Sequence, residues 1–331
     1  MARVVLDCDT GTDDAGAILL AATDPRFSLE AMLATWGNCS RDCAARNTLA
    51  VLDGAGRDDV VVHTGADAAS GPAPVVVGAE IVMGADGLGG VGIDEPPRSP
   101  SAEPAAEALV RLTHDSPGVL TLVALAPLST IAGALALDPS LPARLADVVV
   151  MGGAFGIGGN VTAAAEANIG HDPIAAAAVF DAFGGPAALA SGRPPRLVPL
   201  DVTVPSALTR RELDAVAASR LPGASLLHEV WDAIWSTGLL ETGWPDVWPA
   251  HDLLATWCVV EPDVCTWVRA PLAVDLGGGA AWGATVADHR RARYAAWTSA
   301  APPEGGWLVA TEVDVDRFHA GVRTWLAGGR G

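Results

Sequence analysis

The chain has 331 residues, 50% of them hydrophobic, and its 39 acidic against 20 basic side chains give a formal charge of −19 with no lysine at all. A surface this acidic repels phosphate backbones and anionic bilayers, which argues against a nucleic-acid polymer or a membrane as partner and for a small neutral or cationic ligand. The five cysteines, Cys8, Cys39, Cys43, Cys258 and Cys265, are odd in number and lack CxxC spacing, so reduced thiols are expected; with no apolar run of bilayer length and no charged leader before the first strand, a cytoplasmic protein is expected.

The N-terminal stretch organises the rest. A short apolar run, Val4-Val5-Leu6, leads into Asp7-Cys8-Asp9-Thr10-Gly11-Thr12-Asp13-Asp14, after which the apolar spacing lengthens to a helical period. Strand, turn and helix are expected there. Residues 29–36 form the next expected strand, ending in Gly37-Asn38, followed by a helix at 41–52 and a third strand at 60–63. The Pro/Gly-rich segment 71–100 contains Gly84-Ala85-Asp86-Gly87-Leu88-Gly89-Gly90, and so long a loop is usually functional. Helices are expected at 103–114, 128–137 and 173–183; between them the continuous apolar runs 119–125, 145–150 and 196–202 suit strands buried on both faces of a parallel sheet. Residues 206–237 have a helical pattern, 244–252 are rich in tryptophan, and the part from 266 has strands around Gly277-Gly278-Gly279 before a closing helix at 315–326. No linker, charge block or repeat divides the chain. The expectation is a single α/β domain over 1–331, a mostly parallel, doubly wound, Rossmann-like sheet whose ligands bind beyond the carboxyl ends of the strands.

Three stretches carry chemistry. Alternate residues of a strand point the same way, so Asp7 and Asp9 share a side, with Asp13 and Asp14 just across the turn. Four carboxylates in one small volume repel one another unless a cation sits among them, and oxygen ligands suit Ca2+ or Mg2+. Favourable placement of acids at a helix start would account for Asp13 and Asp14 but not for all four. The second stretch, Met151-Gly152-Gly153 through Asn160, Glu166 and Asn168, lacks the G-x-G-x-x-G order of a dinucleotide loop; its amides and acid suit a ligand with several hydroxyls, such as a sugar. The third is His251-Asp252, a side chain able to move a proton near neutrality beside a further carboxylate. His171 precedes Asp172-Pro173, a helix-opening pair, and is read as a bystander.

The acid turn, Asn38, Ala126-Pro127-Leu128, Met151-Gly152-Gly153, Gly159-Asn160-Val161-Thr162, Glu166-Ala167-Asn168 and His251-Asp252 together resemble the inosine–uridine nucleoside hydrolase family, in order and over nearly the whole chain. The resemblance implies a Ca2+ site formed by Asp9, Asp14, Asp252 and the Leu125 carbonyl, with Asp9 also acting as general base on water. It implies ribose contacts from Asp13, Asn38, Asn160, Glu166 and Asn168, with Met151 against the sugar ring and His251 assisting the departing base. It further implies a ribonucleoside as small-molecule partner, a salvage role and a homodimer or homotetramer. A glycosidic bond breaks through a cationic sugar, so flanking carboxylates, a positioned water and a leaving-group donor are the parts required.

This chain departs from the family pattern mainly on the nucleobase side. Met83 stands where a His is frequent, Ala167 replaces a common Phe, Leu253 follows His251-Asp252 in place of Pro, and Leu125 replaces a common Thr. Met83 and Trp248 are assigned to the base, Trp244 and Trp248 being as suited to stacking as to a core, whereas Trp231 and Trp235, four apart, belong to the core face of a helix. Three rivals stand beside the hydrolase reading. A haloacid-dehalogenase-type phosphohydrolase shares Asp7-x-Asp9 but would need a Lys that the chain lacks. A non-catalytic nucleoside- or sugar-binding protein would not need the acids and His251, and a hydrolase retuned to a modified nucleoside would differ only at the base.

Overall fold

The computed structural model describes residues 1–73, 83–185, 193–236, 247–288 and 306–328. In chain order the strands are β1 (Ala2–Cys8), β2 (Phe27–Ala34), β3 (Val61–Thr64), β4 (Leu120–Ala124), β5 (Asp147–Met151), β6 (Arg196–Val198), β7 (Leu208–Thr209), β8 (Val247–Trp248), β9 (Cys265–Ala270), β10 (Leu272–Val274), β11 (Thr285–Ala287) and β12 (Trp307–Val313). Among the described residues, eight of them form one sheet in the order β3-β2-β1-β4-β5-β6-β12-β9. Neighbours are parallel throughout except β12 and β9. The expected doubly wound α/β architecture is therefore present. The chain winds outward in both directions from β1 and β4, so the switch point lies between their carboxyl ends.

Helices α1 (Asp14–Thr23), α2 (Arg41–Gly54), α3 (Ala105–Asp115), α4 (Ser129–Leu137), α5 (Ala167–His171), α6 (Pro173–Gly184), α7 (Leu200–Thr203), α8 (Arg210–Ala218), α9 (Ala224–Ser236), α10 (His251–Val260) and α11 (Val315–Leu326) complete the elements used below. Alternation along β1 divides the interior in two. Val4, Leu6 and Cys8 join the cluster that holds α1, α9 and α10, whereas Val5 joins the cluster under α4 and α6. Every residue of β4 is buried, as a central parallel strand requires. Each buried Leu or Val on these faces contributes about 1.5–3 kcal/mol against the entropy of ordering the chain.

The expected elements hold with shifts at their ends, and two differences matter. The apolar run 196–202 is not one strand: β6 stops at Val198, because Pro199 has no N–H to donate, and Leu200–Thr203 turn into α7. The run 206–237 is broken by the β7 pairing and again between α8 and α9, where Pro222 and Gly223, at φ +86°, cannot continue a helix. Residues 74–82 and 237–246, and with them Trp244, lie outside the described residues. All five cysteines are free thiols. No helix among the described residues is long and apolar enough to cross a membrane.

Candidate active site

At the carboxyl end of β1 the chain turns so tightly that the backbone N–H of Gly11 donates to Asp14 Oδ2 at 2.8 Å. Asn38, just after β2, locks the next two acids together: its N–H donates to Asp9 Oδ2 at 2.7 Å, and its Nδ2 donates to Asp9 Oδ1 at 3.0 Å and Asp14 Oδ2 at 3.2 Å. Gly37 makes that approach possible, since a Cβ there would lie 1.9 Å from Asp9 Oδ2. Asp252 enters from the first turn of α10. Carboxylate oxygens of Asp13, Asp14 and Asp252, all buried, lie within 4.8 Å of one another. Oδ1 of Asp13 and Oδ1 of Asp14 are buried and accept no hydrogen bond. Asp13 makes no side-chain cap for α1, so an ordinary helix-start role does not explain it.

Burial, and after it the neighbouring carboxylates, push these acids up. Asp13 is raised to about 7 and Asp9 and Asp252 well above the usual range, with Asp14 raised mainly by burial. Two of the expected four, Asp7 and Asp9, are not among the three converging acids. Asp7 Oδ1 accepts from Thr35 Oγ1 at 2.7 Å, while Asp9 is tied to Asp14 through Asn38. The acid that joins Asp13 and Asp14 comes instead from residue 252, far along the chain. A dense set of buried oxygens with unfilled lone pairs has the chemistry of a hard-cation site. The residues present therefore fit a divalent ion.

The second stretch is built around a cap. Glu166 is the N-cap of α5, accepting from the N–H groups of Asn168 at 2.9 Å and Ile169 at 3.2 Å, and its Oε2 also takes the Gly153 N–H at 2.9 Å. It is a buried acid and not a solvated one, raised by burial against those three donors. Asn168 Nδ2 donates to the carbonyls of Leu125 at 2.9 Å and Met151 at 3.2 Å, tying together the ends of β4 and β5. Met151 is buried, with Sδ 3.4 Å from the same amide. Asn160 is exposed on the Gly-rich loop and accepts from the Ala167 N–H at 2.9 Å. Among the described residues, no hydrogen bond brings Asn160 to the acids.

On the remaining side, Thr12 Oγ1 donates to Met83 Sδ at 2.9 Å, which sets the thioether directly on the acid turn. Asn47, wholly buried, bridges the turn to the Gly-rich loop by donating to Thr10 O at 3.0 Å and Asp86 O at 2.8 Å. Trp231 and Trp235 are buried core residues of α9, and Trp231 Nε1 donates to Thr12 O at 3.0 Å. Trp248 is buried within the core, its indole N–H without a partner among the described residues. His251 is partly buried, and its Nδ1 lies 2.7 Å from Thr203 Oγ1; burial pushes the ring down to about 4. His171 packs edge-on against Trp36 at 5.5 Å with both ring nitrogens unpartnered, and Asp172 caps α6 as its Asp-Pro pair predicts.

Sequence reasoning missed Thr203, Asn47 and Asp201, which accepts from the N–H groups of Phe155 at 2.8 Å and Gly156 at 2.6 Å. Asp201 was hidden inside the strand expected over 196–202, and Thr203 lay just past its end. The one available signal was Pro199, which ends that strand and puts both residues on the rim.

A parallel sheet with converging acids at its switch point, an amide lattice beside them and a histidine next in the chain to one of the acids defines an α/β enzyme that works on a small polar ligand. The profile of the inosine-uridine preferring nucleoside hydrolase family matches residues 4–320, and the chain belongs to that family. It is 33% identical over 278 residues to the probable uridine nucleosidase 2 of Oryza sativa, covering 83% of this chain and 79% of that protein. It is likewise 33% identical to the pyrimidine-specific ribonucleoside hydrolase RihA of Citrobacter koseri, covering 86% and 88%. The purine-preferring ribonucleoside hydrolase from Gardnerella vaginalis superposes with a TM-score of 0.85 at 30% identity, covering 98% of each chain. The protein is thus a ribonucleoside hydrolase, acting on N-glycosyl bonds.

Proposed function

We propose that this hydrolase cleaves ribonucleosides to ribose and free base at the switch point, with Ca2+ as its resident ion. The observation that carries the proposal is the meeting of Asp13, Asp14 and Asp252 oxygens within 4.8 Å, with two of their atoms buried and unpartnered. Asp9, Asp14, Asp252 and the Leu125 carbonyl are the proposed ligands, with Asp13 at the border between ion and sugar. When bound, the ion supplies Lewis-acid polarisation and a fixed point for the sugar hydroxyls.

The protein's own groups do the rest. Asp9, held by two bonds from Asn38, accepts the proton of the attacking water. Asn38 and Asn168 present amides to the ribose hydroxyls, Glu166 adds an acceptor while bracing Gly153, and Asn160 reaches the sugar from the exposed loop. Met151, buried beside Asn168, packs under the ring where positive charge develops. His251 assists the base as it leaves. Met83, seated on the turn through Thr12, lines the base side and gives it an apolar, polarisable wall.

The test is release of free base and ribose from a panel of purine and pyrimidine ribonucleosides, with added Ca2+ and after chelation. Ca2+-restored release supports the proposal; release that survives chelation removes the ion from it. The relatives' names span uridine, pyrimidine and purine, so both classes belong in the panel.

A further inference from the structure

We propose that Thr203 is a positioning residue that holds His251 in the tautomer with Nδ1 bare and the proton on Nε2, turned toward the departing base. The proposal rests on the reading of His251 as the residue that assists the base. What carries it is an account of where the Thr203 hydroxyl proton can go.

Thr203 is wholly buried in α7, the short turn that Pro199 opens after β6. Its Oγ1 lies 2.7 Å from His251 Nδ1. Its backbone N–H is spent on the Pro199 carbonyl at 3.2 Å, and its carbonyl accepts from Ser206 Oγ at 3.1 Å. Thr23 and Thr48 each donate their hydroxyl to the carbonyl four residues back, at 2.7 and 2.8 Å. Thr203 makes no such bond, and among the described residues Nδ1 is the only acceptor in reach of its hydroxyl. Two arrangements remain. If Nδ1 carried a proton and donated it, the Thr203 O–H would be left buried with no acceptor, at the full desolvation cost of an unmade donor. If the hydroxyl donates to Nδ1, every proton in the pair is used and only lone pairs go unfilled. The second is the cheaper state, and in it a neutral ring must carry its hydrogen on Nε2.

Nε2 is free to use that proton. The ring is partly exposed, Nε2 is not among the buried unpartnered atoms, and no protein group among the described residues bonds it. The device therefore presents a hydrogen-bond donor to a base nitrogen or oxygen without requiring an ionised imidazole. α7 also fixes its own position relative to the site, because the Leu200 N–H donates to Gly153 O at 2.9 Å and Asp201 holds the Phe155 and Gly156 N–H groups.

The experiment uses the full chain, Ca2+-loaded and 15N-labelled at histidine, with the His251 signals assigned by their loss in His251→Gln. Ring 15N shifts separate protonated from bare nitrogens. The expected result is a bare Nδ1 and protonated Nε2 in the unmutated protein and in Thr203→Ser, and a mixture of tautomers in Thr203→Val. Kinetically, Thr203→Val should lower kcat on a ribonucleoside by about 10- to 100-fold with little change in KM. It should lower kcat far less on a nitrophenyl riboside, whose leaving group departs without a proton, and Thr203→Ser should recover most of the loss. A protonated Nδ1 in the unmutated protein, or equal losses on the two substrates, overturns the proposal. If no ribonucleoside is cleaved by the unmutated protein, the reading of the site fails by itself, while the 15N shifts still decide the tautomer.

Discussion

Asp14 is pulled from two directions. Oδ2 accepts from the Gly11 N–H and from Asn38, while Oδ1 is buried and empty. Asp14→Asn keeps the shape and removes the charge, so the expected outcome is a folded protein that binds Ca2+ much more weakly and loses about 10²–10³-fold in kcat. Calorimetric Ca2+ titration beside turnover checks both halves. At His251 the expectation concerns leaving groups. His251→Ala should cost about 10²-fold or more on ribonucleosides and much less on a nitrophenyl riboside, as steady-state rates on the two substrates would reveal. These residues were visible in the sequence because acids and amides at strand ends have few structural reasons to be there. Glu166 was visible for the same reason, yet its cap of α5 was not, because an N-cap depends on where the preceding loop turns. Asp7 misled because sharing a strand face with Asp9 says nothing of Thr35, which takes its oxygen.

At the scale of elements, α8 shows how the periphery is anchored. Thr209 and Glu212 form a capping box, and Glu212, wholly buried, is also ion-paired to Arg323 of α11. Glu212→Ala removes the cap and strands Arg323. The expected loss is about 1.5–3 kcal/mol, less than for a wholly buried pair because Arg323 keeps a third of its surface in solvent. Urea unfolding measures it, and an unchanged midpoint would contradict it. The long periodic helices and the buried parallel strands were legible in the apolar spacing alone. The breaks were not, because Pro199 and Gly223 act on the backbone while the apolar pattern runs on through them. α7 is the costliest omission, since four residues are too few for any periodicity to register.

For the whole molecule, the buried acids make stability depend on pH and on the ion together. Asp7 and Asp13 are raised by burial from 3.8 to about 7 in the folded protein. Between those values the folded chain binds more protons than the unfolded one, so stability is fully present below 3.8 and is lost as pH rises through about 7. The metal-free protein should melt at lower temperature at about pH 8 than at about pH 5, and added Ca2+ should raise Tm more at the higher pH, where the acids it replaces protons on are charged. Scanning calorimetry at the two pH values with and without chelator tests this; a metal-free Tm that rises with pH would contradict it.

The acid cluster also has a history within each molecule. Asp13 and Asp14 leave the ribosome ahead of β2, whereas Asp252 emerges only after all of β1 to β8. The three oxygens cannot converge before α10 has docked on α1, so the cluster depends on a contact between distant parts of the chain. In refolding, Ca2+ uptake should not precede the docking of α10 on α1, and the ion becomes a clock for that one long-range contact.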